Sequence, residues 1–243
     1  LEDVGGDLRF EDNGSLPEFI GEVLSSVGGD LSIARNHSLE ALSLDGLDSL
    51  GGGLSITGNG ELWALNVGRP DTIGGDLHIL GNDSLQDLQL AHVTHVTGDV
   101  WIGQRGPDGN ESLQELQLTR LLAVDGDLEI TGAGRLEDLG GLQTLQTVGG
   151  DLVIEFNDPL ATAELPELSD IGGAARVMFN PAVTQCRFPA LATVGGDLDI
   201  HHNDALTAAD LSVPESVGGG FEVSSNPTFA SLGGFTDRRT VVW

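Results

Sequence analysis

One phrase recurs ten times along this chain: a branched apolar residue followed by Gly-Gly-Asp-Leu or a close variant. Most copies begin 23 residues after the previous one, with one step of 28 residues and one of 24. A repeat of this length indicates a solenoid, in which each repeat forms one coil that packs on its neighbours. The phrase continues without a linker, so we expect one elongated domain over residues 1–243. Its coils open at Val4, Val27, Leu50, Ile73, Val96, Val124, Val148, Ile171, Val194 and Val217.

Alternation within each repeat predicts short strands. In the second copy, Leu31 and Ile33 flank Ser32, so the two apolar side chains face the core while serine points outward. Stacked coil on coil, such triplets predict a parallel sheet. A second alternation, which begins at Leu42-Ser43-Leu44, predicts another stack of strands on a second wall. Little chain remains for more than one helical turn, so the expected fold is an all-β repeat solenoid of about ten coils.

Two polar features are repeated with the strands. The Gly-Gly pair is expected to supply positive φ angles for a sharp corner. An asparagine nine residues after each opening is expected to form a structural ladder that satisfies backbone groups at the bend, rather than a ligand site. Ala133 breaks this column, and Asn110 follows an insertion that begins at Arg105. The ladder residues are Asn13, Asn36, Asn59, Asn82, Asn157, Asn180, Asn203 and Asn226.

The phrase G-x-L-x-I-x-x-N-x-x-L-x-x-L, in which Leu39 follows Asn36 by three places, resembles the receptor L domain. That family is related to leucine-rich repeats and occurs in the ligand-binding ectodomains of the insulin and epidermal growth factor receptors. The resemblance covers nearly the whole chain and implies a right-handed β-helix that recognises a protein or other macromolecule through a sheet face, without catalysis. Ten uninterrupted coils and a single cysteine favour a microbial surface relative over an animal receptor.

Composition narrows the classes of partner. The chain has 38 acidic and 10 basic residues, a formal net charge of −28, and no lysine. A surface of this charge repels nucleic acid and suits a soluble extracellular or cell-surface protein. No apolar run is long enough to cross a bilayer and no leader is present, so we expect no membrane insertion and a mature or excised chain. Few aromatic residues and no tyrosine argue against a carbohydrate-binding platform.

A column of aspartates lies three residues after the openings. Two interpretations stay open: each carboxylate caps backbone N–H groups at the glycine corner, or the column binds calcium. No other cofactor is expected. No cluster interrupts the repeat in the way a catalytic site would, so we expect no enzyme activity, and the lone Cys186 is expected to be a buried, inert thiol. The column comprises Asp7, Asp30, Asp76, Asp99, Asp127, Asp151 and Asp197.

Outward positions of the main sheet vary from coil to coil, as a binding surface would require. Two apolar groups among them predict a ligand-binding face, because large exposed apolar residues favour interfaces. The competing interpretation is that the insertion covers the tryptophan and that the two phenylalanines pack in the core. The alternative function is a structural stalk or spacer, with end-to-end association through uncapped coils as a further possibility. The candidate ligand-binding residues are His78, Leu80, Trp101, Val153, Phe156, Met178 and Phe179.

Overall fold

The chain folds as an all-β solenoid of about ten coils, as the repeat predicts. The computed structural model describes residues 1–104, 109–211 and 214–233. Paired strands in these ranges are parallel, and each pairing step advances one coil, as from Leu54 to Leu77. The irregular steps keep the register: Val100 pairs with Leu128 across the 28-residue step, and Leu128 pairs with Leu152 across the 24-residue step. The insertion therefore lengthens one coil without displacing the sheet.

The strand triplets of the sequence form one wall, which we call the face sheet. Its inward side chains, such as Leu31 and Ile33, are buried, while the outward Ser32 is half-buried. In the described ranges its ten strands are, in order, Leu8–Glu11, Leu31–Ala34, Leu54–Thr57, Leu77–Leu80, Val100–Ile102, Leu128–Thr131, Leu152–Glu155, Ala175–Met178, Leu198–His201 and Phe221–Ser224.

A second stack of two-residue strands precedes the glycine corner, and we call it the corner sheet. The repeat pattern does not predict this stack, because two residues are too few to show an alternation. Its inward residues are the apolar residues that open each repeat. Its ten strands, again within the described part of the chain, are Asp3–Val4, Ser26–Val27, Ser49–Leu50, Thr72–Ile73, His95–Val96, Ala123–Val124, Thr147–Val148, Asp170–Ile171, Thr193–Val194 and Ser216–Val217.

The third wall is the second stack that the sequence predicts, with each strand beginning one residue earlier than expected. Leu42 and Leu44 are both buried, but the strand ends at Ser43, so the alternation marks burial rather than the end of the strand. The wall is split into three sheets. Their strands are Glu18–Ile20, Ala41–Ser43 and Ala64–Asn66; then Asp87–Gln89 and Glu115–Gln117; then Thr162–Glu164, Gln185–Arg187, Ala208–Asp210 and Ser231–Gly233.

A single turn of 3-10 helix, Gly140–Leu142, takes the place of a third-wall strand in the coil that opens at Val124. The helix packs against the strand Glu115–Gln117 so closely that a Cβ on Gly141 would lie 1.1 Å from the Leu116 carbonyl oxygen. Glycine is therefore needed here for backbone approach. The interruption separates the second and third sheets of this wall.

Apolar residues from all three walls form one continuous core. The thiol of Cys186 lies in it, on a strand that pairs with Ala163 and Ala209, and burial raises its pKa to about 12. The expectation of a buried cysteine is confirmed. A thiol with so high a pKa is almost entirely protonated at neutral pH, and this makes it a poor nucleophile.

The sequence correctly places a corner at each Gly-Gly pair, but the prediction that these glycines are needed for positive φ angles is wrong. In the described residues, positive φ angles fall at other glycines, such as Gly58 and Gly81, and at none of the corner pairs. The corner glycines are required because successive coils approach closely: a Cβ on Gly172 would lie 2.0 Å from the Gly149 carbonyl oxygen, and one on Gly173 would lie 2.1 Å from an Asp151 carboxylate oxygen. The sequence indicates where the corner is, but a close approach between coils cannot be seen in one repeat.

The asparagine ladder is confirmed. In a typical step, the Asn157 backbone N–H donates to the Asn180 side-chain oxygen at 3.0 Å, and the Asn180 amide donates to the Ile154 carbonyl at 2.9 Å. Asn110 joins the ladder in the lengthened coil, where its side-chain oxygen accepts the Asn82 backbone N–H at 3.1 Å. The column residue Arg105 lies outside the described residues. Ala133 lacks an amide, but its backbone N–H still donates to the next ladder asparagine.

Candidate functional site

The outward surface of the face sheet holds the first group of predicted binding residues. His78 and Trp101 are register partners on adjacent strands. Their rings stack with centroids 4.7 Å apart and an interplanar angle of 21°, and Trp101 is 38% exposed. Leu80 lies two residues from His78 on the same side of the same strand and is half-buried. The structure therefore brings these three residues together as an exposed aromatic and aliphatic patch.

The imidazole of His78 has an unusual environment for a half-exposed side chain. Its Nε2 atom is buried and has no hydrogen-bond partner among the described residues. A buried polar atom without a partner costs about 1–3 kcal/mol of stability. The position of the His78 ring thus lowers the stability of the fold instead of raising it.

A trough lies beside this aromatic pair where the outward side chains are small. Ser32 and Ser55 line it, and so does Gly53, which interrupts the aspartate column. Arg9 stands at one end and His78 at the other, and the trough has a volume of about 320 Å³. Its lining also includes the carboxylates of Asp30 and Asp76 and the side chain of Glu11. Donors, acceptors and one aromatic ring therefore meet in a single depression.

The second group of predicted residues occupies the face sheet and its adjoining bend. Val153 and Met178 lie on neighbouring strands and are half-buried. Phe156 and Phe179 follow these strands, and their rings stack with centroids 4.8 Å apart and an interplanar angle of 11°. Both phenylalanines are half-buried at the surface, so the interpretation that they pack in the core is wrong.

His202, which was not among the predicted binding residues, extends this aromatic column. Its ring stacks on Phe179 at 4.8 Å, and its Nδ1 atom lies 2.7 Å from Nδ1 of His201. Phe156, Phe179 and His202 each have a φ of 55°, a conformation that costs a bulky residue free energy and that glycine adopts at Gly58 and Gly81 in other coils. Other coils have glycine or a polar residue such as Arg35 at this position, also with a positive φ, so the conformation belongs to the bend of the repeat. The signal was present in the spacing, because three aromatic residues recur there in successive coils.

The aspartate column acts as a second hydrogen-bonded ladder. One carboxylate oxygen of each member accepts the backbone N–H of the corresponding residue in the next coil, as from Asp30 to Asp7 at 3.0 Å and from Asp151 to Asp127 at 2.7 Å. The capping interpretation is confirmed. No three histidine, cysteine or acidic side chains in the described ranges are grouped so as to hold a metal ion. Calcium binding by this column stays a prediction.

Charges on the face sheet are arranged around Arg176. Its guanidinium donates to the Asp151 carboxylate at 2.7 Å and lies 4.0 Å from Asp199. Burial acts to raise the pKa of Asp151, but the Ala174 backbone N–H and Arg176 together outweigh it and lower that pKa. The pKa of Asp199 is raised, first by burial and then by the negative charges of Asp197 and Glu222, against the opposing effect of Arg176 and His201.

Replacing Asp199 with asparagine should stabilise the protein at pH 7 by a few tenths to about 1 kcal/mol. Because the folded pKa lies above the ordinary value of 3.8, the ionised carboxylate costs stability above the folded pKa, and the cost fades as pH falls towards 3.8. Urea unfolding at pH 7 and near pH 4 measures this. Asp204→Asn, at an exposed carboxylate on the same coil, is the control. Equal gains in both variants, or a gain that persists at low pH, would contradict the assignment.

Two other surface features lie outside the predicted site. The third wall carries a cleft of about 630 Å³ beside the 3-10 turn, but none of the residues that line it is aromatic. Trp63, also on the third wall, is 60% exposed, and nothing in the repeat pattern distinguishes it. Of the five inserted residues, 105–109, the first four lie outside the described residues, so whether the insertion covers Trp101 stays a prediction.

Comparisons with known proteins add no relative. A scan against protein-family models, a search of curated proteins and a search of solved structures each returned no match. Within the described ranges, no helix has the length and apolar character to span a membrane. The receptor L-domain resemblance, with the right-handed coil and the recognition role that it implies, therefore remains a prediction that depends on the repeated sequence phrase.

Proposed function

We propose that this chain is a non-catalytic recognition module that binds a macromolecular partner on the outward surface of the face sheet, outside the cell. The observation that carries the proposal is the stacked His78–Trp101 pair, which leaves 38% of a tryptophan exposed on a strongly acidic protein. Tryptophan is enriched among the residues that contribute most to binding, and exposed aromatic clusters favour interfaces. A stalk or spacer needs no such pair.

The second aromatic column supports the same surface. Phe156, Phe179 and His202 stack beside the face sheet in three successive coils, the first of which is two coils after that of Trp101, and their rings remain partly exposed. A column of stacked, partly exposed rings is a second surface of the kind that favours an interface. The net charge of −28 disfavours nucleic acid as the partner, and an acidic surface suits a saline exterior.

Selection of random peptides against the intact chain tests the proposal. Any partner gains the most free energy at an aromatic patch, so selected peptides should settle on the face sheet. Trp101→Ser should weaken the selected peptides roughly tenfold or more, whereas Trp63→Ser, on the third wall, should leave them unchanged. Circular dichroism checks that both variants are folded.

The spacer alternative makes the opposite prediction. If no peptide is enriched, or if the enriched peptides bind the wild type, Trp101→Ser and Phe179→Ser equally well, the face sheet is not a recognition surface. A calcium-stabilised spacer would also show a rise in melting temperature with millimolar calcium that matched sodium chloride does not reproduce.

A further inference from the structure

We infer that the trough between Arg9 and His78 is a binding site for a neutral oligosaccharide, and this inference rests on the proposed recognition function. The trough exists where one departure from the repeat lies between two small outward side chains. Ser32 and Ser55 put small side chains at two successive outward positions, and Gly53 replaces an aspartate between them. Small side chains flanked by the larger Arg9 and His78 form a depression that can hold a ligand.

One end of the trough is an aromatic ring held in place from behind. His78 stacks on Trp101 in the next coil, so the other face of its imidazole is turned towards Ser55, its register partner in the preceding coil. The C–H face of a sugar ring packs well against such a flat ring. The few aromatic residues of the chain argue against a broad platform, but a trough of this size needs only one.

The polar groups around the trough match hydroxyl groups, which both donate and accept. The carboxylates of Asp30 and Asp76 each use one oxygen to accept a backbone N–H, from Gly53 and Asp99, which leaves the second oxygen able to accept from a ligand. Arg9 donates one N–H to Asp7 at 2.7 Å and has further donors in its fork. The hydroxyl of Ser55 can do both.

Charge and size select among ligands. The acidic side chains of Asp30, Asp76 and Glu11 outnumber Arg9 and so disfavour an acidic sugar. Donors and acceptors along the trough match the several hydroxyl groups of a neutral sugar better than the single charge of a basic side chain. Arg9 and His78 are three coil steps apart, about 14 Å at the usual strand spacing. A volume of about 320 Å³ lies at the lower end of the range for small-ligand sites, which is enough for a short stretch of glycan.

Native electrophoresis through gels that contain a neutral polysaccharide tests the site with the intact protein. The probes are dextran, a galactomannan, a xyloglucan and a soluble β-glucan, with polygalacturonate as the acidic comparison. We expect at least one neutral probe to retard the wild-type chain, while Ser55→Leu, which fills the trough, and His78→Ala abolish the retardation. Ser49→Leu, an exposed strand position on the corner sheet in the same coil, and Trp63→Ala should behave as wild type.

Two results would overturn the assignment. Retardation that survives both trough variants places the sugar site elsewhere, and no retardation by any neutral probe removes the glycan as ligand. Binding of an oligoarginine peptide that Ser55→Leu abolishes would give the trough to a basic peptide instead. The peptide selection distinguishes these failures from failure of the proposed function, because peptides that depend on Trp101 would leave the recognition surface intact without a sugar.

Discussion

Asn180→Ala should lower the free energy of unfolding by about 3 kcal/mol. The side chain accepts the Asn157 backbone N–H at 3.0 Å and donates to the Ile154 carbonyl at 2.9 Å, inside the solenoid. Alanine would leave the Asn157 N–H buried without this acceptor, at a cost of about 1–3 kcal/mol, and would also remove a hydrogen bond to the Ile154 carbonyl. Urea unfolding followed by circular dichroism measures the change.

The matched control uses the same substitution at the same repeat position. Asn13 is exposed, and its amide donates only locally, to the Glu11 carbonyl. Asn13→Ala should therefore cost well under 1 kcal/mol, as is usual for an exposed position. If the two variants lose equal stability, the hydrogen bonds between coils do not stabilise the protein, and asparagine matters only for the local conformation of the bend.

Gly172→Ala should be at least as damaging, with a loss of about 3 kcal/mol or more, and it tests the corrected account of the glycine corner. The added Cβ would lie 2.0 Å from the Gly149 carbonyl oxygen, so the two coils would have to move apart. Thermal and urea unfolding report the loss of stability.

Gly5 occupies the same position in the first coil, and a Cβ there would meet no atom within 4 Å. Gly5→Ala should change stability by no more than about 0.5 kcal/mol. A large loss from Gly5→Ala would mean that the backbone conformation itself requires glycine, as the sequence first indicated, and that contact between coils is not the reason.

The strands and their stacking could be predicted from the sequence, because both follow from residue patterns that recur within each repeat. The alternation around Ser32 fixes which side of the strand is buried, and the recurrence of Asn36 in later coils fixes the stacking register. What the sequence could not predict depends on contacts between coils. The reason for the corner glycines is one example, and the two-residue strands of the corner sheet are another.

The candidate site was predictable in its members but not in its shape. Trp101 and Phe179 stood out as large apolar residues in outward columns, and the structure places both at the surface. The trough depends instead on residues that are inconspicuous alone, since Ser55 and Gly53 matter only because their neighbours in adjacent coils are larger. His202 was missed because, beside the strands, only large apolar residues were considered as candidates.

The two hydrogen-bonded ladders run in opposite senses along the solenoid. Each aspartate carboxylate accepts from the following coil, as Asp127 does from Asp151, whereas each asparagine oxygen accepts from the preceding coil, as Asn180 does from Asn157. A standard repeat thus makes one side-chain hydrogen bond to the following coil through its aspartate and one to the preceding coil through its asparagine. Unequal exchange between gene copies could add or delete a whole repeat and still join every new pair of coils by the same bonds. Selection can in this way vary the length of the array while the aromatic patch and the trough stay unchanged.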